Sequence, residues 1–235
     1  SRAASNPHLT PFFAIVFLYS LLQSQEKNSK IFWAILSGVC LGIMFQLHYL
    51  AASLAPLLLL FLIRKMPQQF TASMAGFVFL MLPQIAFEIK NEFFVTNLFI
   101  KQITSGNNLA TTQSFVSHLQ ISANQLFNIF LSNKTATPFA LLILTGISFI
   151  LLIKKPKNQI VLIVLLASIV FQLILTSLYS GSIEPHYFST VYTSFALLFG
   201  FAIWFIFSKI GNVFVKSLLV LLLAQILFQN ALNLN

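Results

Sequence analysis

The sequence predicts an all-α, polytopic membrane protein with about eight transmembrane helices. Three observations carry that prediction. First, 58% of the residues are hydrophobic and only 7% are charged, whereas a soluble domain carries roughly 25% charged residues. With a mean hydropathy of +0.90, the chain has too little polar surface to cover a globule in water. Second, the apolar residues fall in runs separated by short charged loops. Third, the basic residues divide unevenly between alternating loops, as membrane topology requires.

The candidate spans are 11–23, 31–47, 49–63, 70–87, 136–153, 159–179, 187–207 and 213–230. An α-helix rises about 1.5 Å per residue and the hydrocarbon core is about 30 Å thick, so spans of 17 to 20 residues fit. Two of the eight, 11–23 and 49–63, are short. The uncharged run 31–63 has 33 residues; as one α-helix it would be about 50 Å long, too long for one crossing. Two helices meeting near "QLHY" fit better, so Gln46, His48 and Tyr49 mark a turn at a membrane face.

The charges test this order. One set of loops holds nine cations: Lys27, Lys30, Arg64, Lys65, Lys154, Lys155, Lys157, Lys209 and Lys216. The other side holds four: Arg2, Lys90, Lys101 and Lys134. The richer side is expected to be cytoplasmic. His48, the 88–135 segment and the loop around Glu184 then face outward. Within 88–135, residues Phe115, Leu119, Ser122, Leu126, Ile129 and Phe130 recur near a helical period, which predicts an amphipathic helix on the outer surface. The whole chain, 1–235, reads as a single transmembrane domain with that outward loop.

Several function classes lack support. The net charge of +9 comes from cations between apolar runs and so reads as topology, not as a nucleic-acid surface. There is no aspartate, and no Walker A, GxGxxG, HExxH or GxSxG motif. The lone Cys40 excludes an intrachain disulfide and reads as a small packing residue. His8, His48, His118 and His186 lack metal-ligand spacing, so no metal site is expected.

What remains is polar chemistry gathered at the expected outer face. "SRAASNP" supplies Arg2 and Asn6; "QLHY" supplies His48 and Tyr49; "FEIKNE" supplies Glu88 and Lys90; "EPHYF" supplies Glu184, His186 and Tyr187. Cations at an interface can hold a lipid phosphate, and Tyr and His can bond sugar hydroxyls. Each residue has a plainer reading. The tyrosines suit an interfacial aromatic belt, His48 suits a helix cap, and Glu88 with Lys90 suits a local pair in water.

The stretches "SRAASNPHLTPFF", "LSGVCLGIMFQLHYLAASLAPLLLL", "GFVFLMLPQIAFEIKNEF" and "PHYFSTVYTSFALLFGFAIW" resemble bacterial GT-C glycosyltransferases. The closest likeness is to the protein O-mannosyltransferase-like branch, which includes aminoarabinose transferases. That resemblance implies transfer of a sugar from a polyprenyl-phosphate donor to a glycan, lipid or protein acceptor at the outer face of the cytoplasmic membrane. It makes Arg2, Asn6, His48, Tyr49, Glu88, Lys90, Glu184, His186 and Tyr187 substrate-binding candidates. Family members often carry arginine where this chain has His186. The family's essential acid sits in an outward loop after its first span. No such loop occurs here, so the chain is expected to be the later part of a larger module. Its acid would lie upstream of Ser1, and the chain alone would be inactive. The resemblance leaves room for a divalent cation in the full-length enzyme. The alternatives are a flippase or transporter for lipid-linked oligosaccharide, and an O-antigen polymerase-like protein.

Overall fold

The computed structural model describes residues 9–26, 28–104, 115–130, 159–178, 183–209, 211 and 217. Among the described residues all regular structure is helical. The elements are α1 (Thr10–Gln23), α2 (Ile31–Leu47), a 3-10 helix (Tyr49–Leu58), α3 (Leu59–Ile63), α4 (Pro67–Lys90), α5 (Phe94–Thr104), α6 (Phe115–Phe130), α7 (Gln159–Ser177), a short 3-10 helix (Pro185–Phe188) and α8 (Tyr192–Lys209). Two of these, α4 and α7, are long and apolar enough to cross a membrane. The expected spans 136–153 and 213–230 lie outside the described residues, Ser217 apart.

The tightest seam joins α2 to α4. Gly38 and Gly42 of α2 leave room for the α4 backbone, and Gly76 of α4 leaves room for α2. A Cβ at Gly38 would lie 1.8 Å from the Ser73 carbonyl oxygen, and one at Gly76 would lie 2.5 Å from that of Ile35. Small residues four apart allow this approach in membrane helices. The Ser37 and Ser73 hydroxyls share a hydrogen bond of 2.9 Å across the seam. Farther along, Gln46 Nε2 donates to the Leu80 carbonyl. The pairings climb together, Ser37 with Ser73 and Gln46 with Leu80, so α2 and α4 run parallel.

Parallel neighbours need a returning segment, and residues 49–63 supply it. The sequence predicted a plain helix there; the structure has ten residues of 3-10 helix followed by five of α-helix. Pro56 explains part of the departure, because it has no N–H and its ring collides with the carbonyl four residues back in an α-helix. The change also lengthens the segment. Ten residues at about 2.0 Å and five at about 1.5 Å cover about 28 Å, against about 22 Å for an all-α segment.

The 88–135 segment also departs from expectation. Helix α4 continues to Lys90, and α5 occupies part of what was read as loop. Glu92 and Phe93 take positive φ values of 53° and 58° where the chain turns between the two. The amphipathic helix forms as predicted, over Phe115–Phe130. However, it is docked onto the bundle, packing on α7 and reaching the Pro185–Phe188 helix. Leu126 is fully buried in the common core with Phe17, Met44, Leu54, Leu165 and Phe188.

Two ends of the bundle can be told apart. The C-termini of α2, α4 and α7 share one end with the start of α8. Thr193 Oγ1 donates to the Pro11 carbonyl at 3.5 Å, which brings the start of α1 there too. The opposite end carries the Ser24–Lys30 connection and the Arg64–Pro67 turn, with Lys65 at φ 57°.

Candidate functional site

The first end gathers aromatic rings from two distant stretches of sequence. Helix α2 stops at His48, whose backbone is extended at φ −157° and ψ 114°. Its N–H still closes the last turn on the Met44 carbonyl at 2.8 Å. Its side chain caps the next helix: Nδ1 accepts from the Leu50 N–H at 3.3 Å. A residue with an extended backbone and a side-chain acceptor is what a helix N-terminus needs.

The His48 ring stacks on Tyr49, with centroids 5.3 Å apart and planes 20° apart. It meets His186 edge-on at 5.6 Å and Tyr187 at 5.4 Å. His186 and Tyr187 touch each other at 4.6 Å. Four of the residues singled out from sequence thus form one cluster. Tyr49 and His186 are exposed, while His48 and Tyr187 are half-buried. Burial, and after it the charge of the neighbouring His186, together lower the His48 pKa from its ordinary 6.5 to about 4. His48 sits in the turn between helices and is neutral at pH 7.

Beneath the rings lies a polar hub that the sequence reading missed. Gln172 of α7 is fully buried. Its Oε1 accepts from Ser53 Oγ and, at 2.9 Å, from Thr190 Oγ1. Its Nε2 donates to the Tyr187 carbonyl at 2.8 Å. One side chain therefore ties the "HYLAAS" helix to the "PHYF" helix and fixes the distance between their rings. The signal was present in the spacing. Ser168, Gln172 and Thr176 recur every four residues in an otherwise apolar helix, and so share one face. Ser168 Oγ donates to Ser194 Oγ at 2.7 Å, extending the polar seam along α8.

The other candidates sit apart from the four rings or lie outside the described residues. Glu88 shares the end of the bundle, but α4 carries it about 12 Å beyond the level of Leu80. Its side chain is 8% exposed. Gln84 Nε2 donates to its Oε1 at 3.4 Å, and the Thr96 N–H donates to its Oε2 at 3.1 Å. Glu88 thus holds the first turn of α5, where a carboxylate also suits the helix dipole. Lys90 is exposed in the last turn of α4. Glu184 is exposed just before the Pro185–Phe188 helix, and its carbonyl accepts the Tyr187 N–H at 3.0 Å. Arg2 and Asn6 lie outside the described residues. Among the described residues no group of three or more His, Cys, Asp or Glu side chains is arranged to hold a metal ion.

Chemically, the cluster offers a neutral imidazole, a second imidazole open to solvent and two phenolic rings, all on a braced support. Such a surface suits an oxygen-rich ligand. Comparison of the chain with protein-family models, with curated proteins and with solved structures finds no match.

Proposed function

We propose that this chain is the helical membrane part of a glycosyltransferase that takes a sugar from a polyprenyl-phosphate donor and passes it to a glycan, lipid or protein acceptor. In this reading the chain crosses the cytoplasmic membrane about eight times and the His48 end faces outward. The observation that carries the proposal is the meeting of the "QLHY" turn with the "EPHYF" segment. These stretches are well over a hundred residues apart in sequence and both belong to the resemblance with GT-C enzymes. A lipid-linked donor would lay its tail along the apolar helices and its sugar phosphate against the rings.

The chemistry is a displacement at the anomeric carbon. The acceptor oxygen forms a bond to that carbon as the bond to the phosphate oxygen breaks. The lipid phosphate leaves with the electron pair, and a carboxylate takes the acceptor proton. Donors at the rings and cations such as Arg2 would stabilise the departing phosphate. Against transport stands the placement of charge: among the described residues the buried carboxylate, Glu88, lies at a helix end and not at mid-bundle.

The test uses the full-length protein in membrane vesicles with radiolabelled polyprenyl-phosphate sugars. Label appearing in an acceptor, with release of the lipid phosphate, is the expected result. Movement of the intact lipid-linked sugar between leaflets without transfer would replace the proposal with a flippase. Joining of whole lipid-linked glycans would replace it with a polymerase.

A further inference from the structure

His48 can act at its ring as a base, as a cation, as a metal ligand or as a hydrogen-bond donor, and its surroundings discriminate among these. The Leu50 N–H points at Nδ1, so Nδ1 carries the lone pair. A neutral imidazole with a bare Nδ1 holds its proton on Nε2. Nε2 then has no lone pair to offer a metal or an acidic hydroxyl. We infer that His48 is an uncharged, orientation-fixed hydrogen-bond donor, presenting Nε2–H to an acceptor oxygen of the bound ligand. The inference rests on the transferase reading for the identity of that ligand, a sugar hydroxyl or a phosphate oxygen.

Two further observations support it. A stacked contact with Tyr49 and edge-on contacts with His186 and Tyr187 hold the imidazole plane, so the donor direction is set before any ligand arrives. The support is held in turn by Gln172, which spans the two helices that carry these rings. Among the described residues, the ionisable groups whose rings meet His48 are His186, Tyr49 and Tyr187; the packed face of α7 contributes the neutral Gln172. None of these supplies a negative charge at neutral pH that would favour an imidazolium. A neutral donor in a half-buried site stabilises a growing negative charge on oxygen without first surrendering the hydration of an ion.

The test pairs two substitutions that divide the imidazole between its nitrogens. In His48→Asn the side-chain oxygen falls where Nδ1 was and keeps the Leu50 bond, but nothing reaches the place of Nε2. In His48→Gln the longer amide places an N–H near the Nε2 position. Full-length protein in detergent is titrated with farnesyl-phosphate mannose, and the Kd is measured. The expected result is binding by the Gln variant within about threefold of wild type, and binding by the Asn variant at least about tenfold weaker. Any order other than Gln tighter than Asn overturns the donor role, and the reverse order assigns His48 to helix capping alone. Nitrogen NMR of wild-type protein labelled at histidine reads the tautomer without any ligand. Protonated Nε2 with bare Nδ1 at pH 7 is expected, and the opposite tautomer or an imidazolium overturns the inference even if the enzyme turns over. Wild-type protein that shows the expected tautomer but binds no probe overturns the transferase reading, and with it the acceptor named here.

Discussion

Replacing Gln172 by Leu keeps the side chain's size and removes every polar atom from the hub. Three groups then lose their partner: the Ser53 hydroxyl, the Thr190 hydroxyl and the Tyr187 carbonyl. In water-soluble proteins each such loss costs about 1–3 kcal/mol. Hydrogen bonds between membrane helices average about 0.6 kcal/mol, because the separated helices find other partners. The Ser53 hydroxyl can turn to a carbonyl of its own helix, as Thr176 already does toward the Gln172 carbonyl at 2.8 Å. Three bonds at about 0.6 kcal/mol give about 2 kcal/mol for Gln172→Leu. Reversible unfolding in mixed micelles measures that difference directly. The loss should be accompanied by faster amide exchange over Pro185–Phe188, since Gln172 anchors that helix from below. A destabilisation under about 0.5 kcal/mol, with exchange at the Pro185–Phe188 helix unchanged, would refute the view that Gln172 fixes the ring cluster.

Three other substitutions or titrations probe separate parts of the bundle. Gly38→Ala puts a methyl 1.8 Å from the Ser73 carbonyl oxygen; the α2–α4 seam must open, and unfolding should show a loss of at least about 2 kcal/mol. Glu88→Ala removes the acceptor of the Thr96 N–H and should cost about 1 kcal/mol, with exchange at Thr96 accelerating before that of α4. His48 should titrate near pH 4 by NMR, well below its ordinary 6.5. Because the folded state binds this proton less readily than the unfolded state, the stability due to His48 is complete above about pH 6.5. It is lost as the pH falls toward about 4. A His48 midpoint at or above 6.5 would remove that contribution.

Much of the fold was legible because apolar runs and charges obey coarse rules. The limits of α2 coincide with the predicted 31–47; length required a break in the run, and the polar Gln46, His48 and Tyr49 placed it. The convergence of His48, Tyr49, His186 and Tyr187 was anticipated only as a shared face; their contact depends on packing that no single segment encodes. The 3-10 conformation of 49–58 escaped because an apolar run has no period to betray it, and Pro56 was the sole local sign. Glu88 was read as a candidate for substrate. Its link to Thr96 depends on the two positive-φ residues at the turn, which composition does not announce. Gln172 was passed over because one polar residue in a long apolar helix draws less notice than a charged pair. Its four-residue spacing from Ser168 and Thr176 carried the information.

The 3-10 segment has a mechanical consequence. Each of its residues turns about 120°, against about 100° in an α-helix, and rises about 0.5 Å more. Rewinding all ten residues into α-form would shorten the segment by about 5 Å and rotate one end against the other by about 200°. Shortening and rotation are thus geared together, like the thread of a screw. His48 at one end cannot retreat along the bundle unless the Arg64–Lys65 turn swivels at the other, or the Ser53 bond to Gln172 gives way. The segment behaves as a strut of fixed pitch, and the height of the ring cluster is set by a turn on the far side of the molecule.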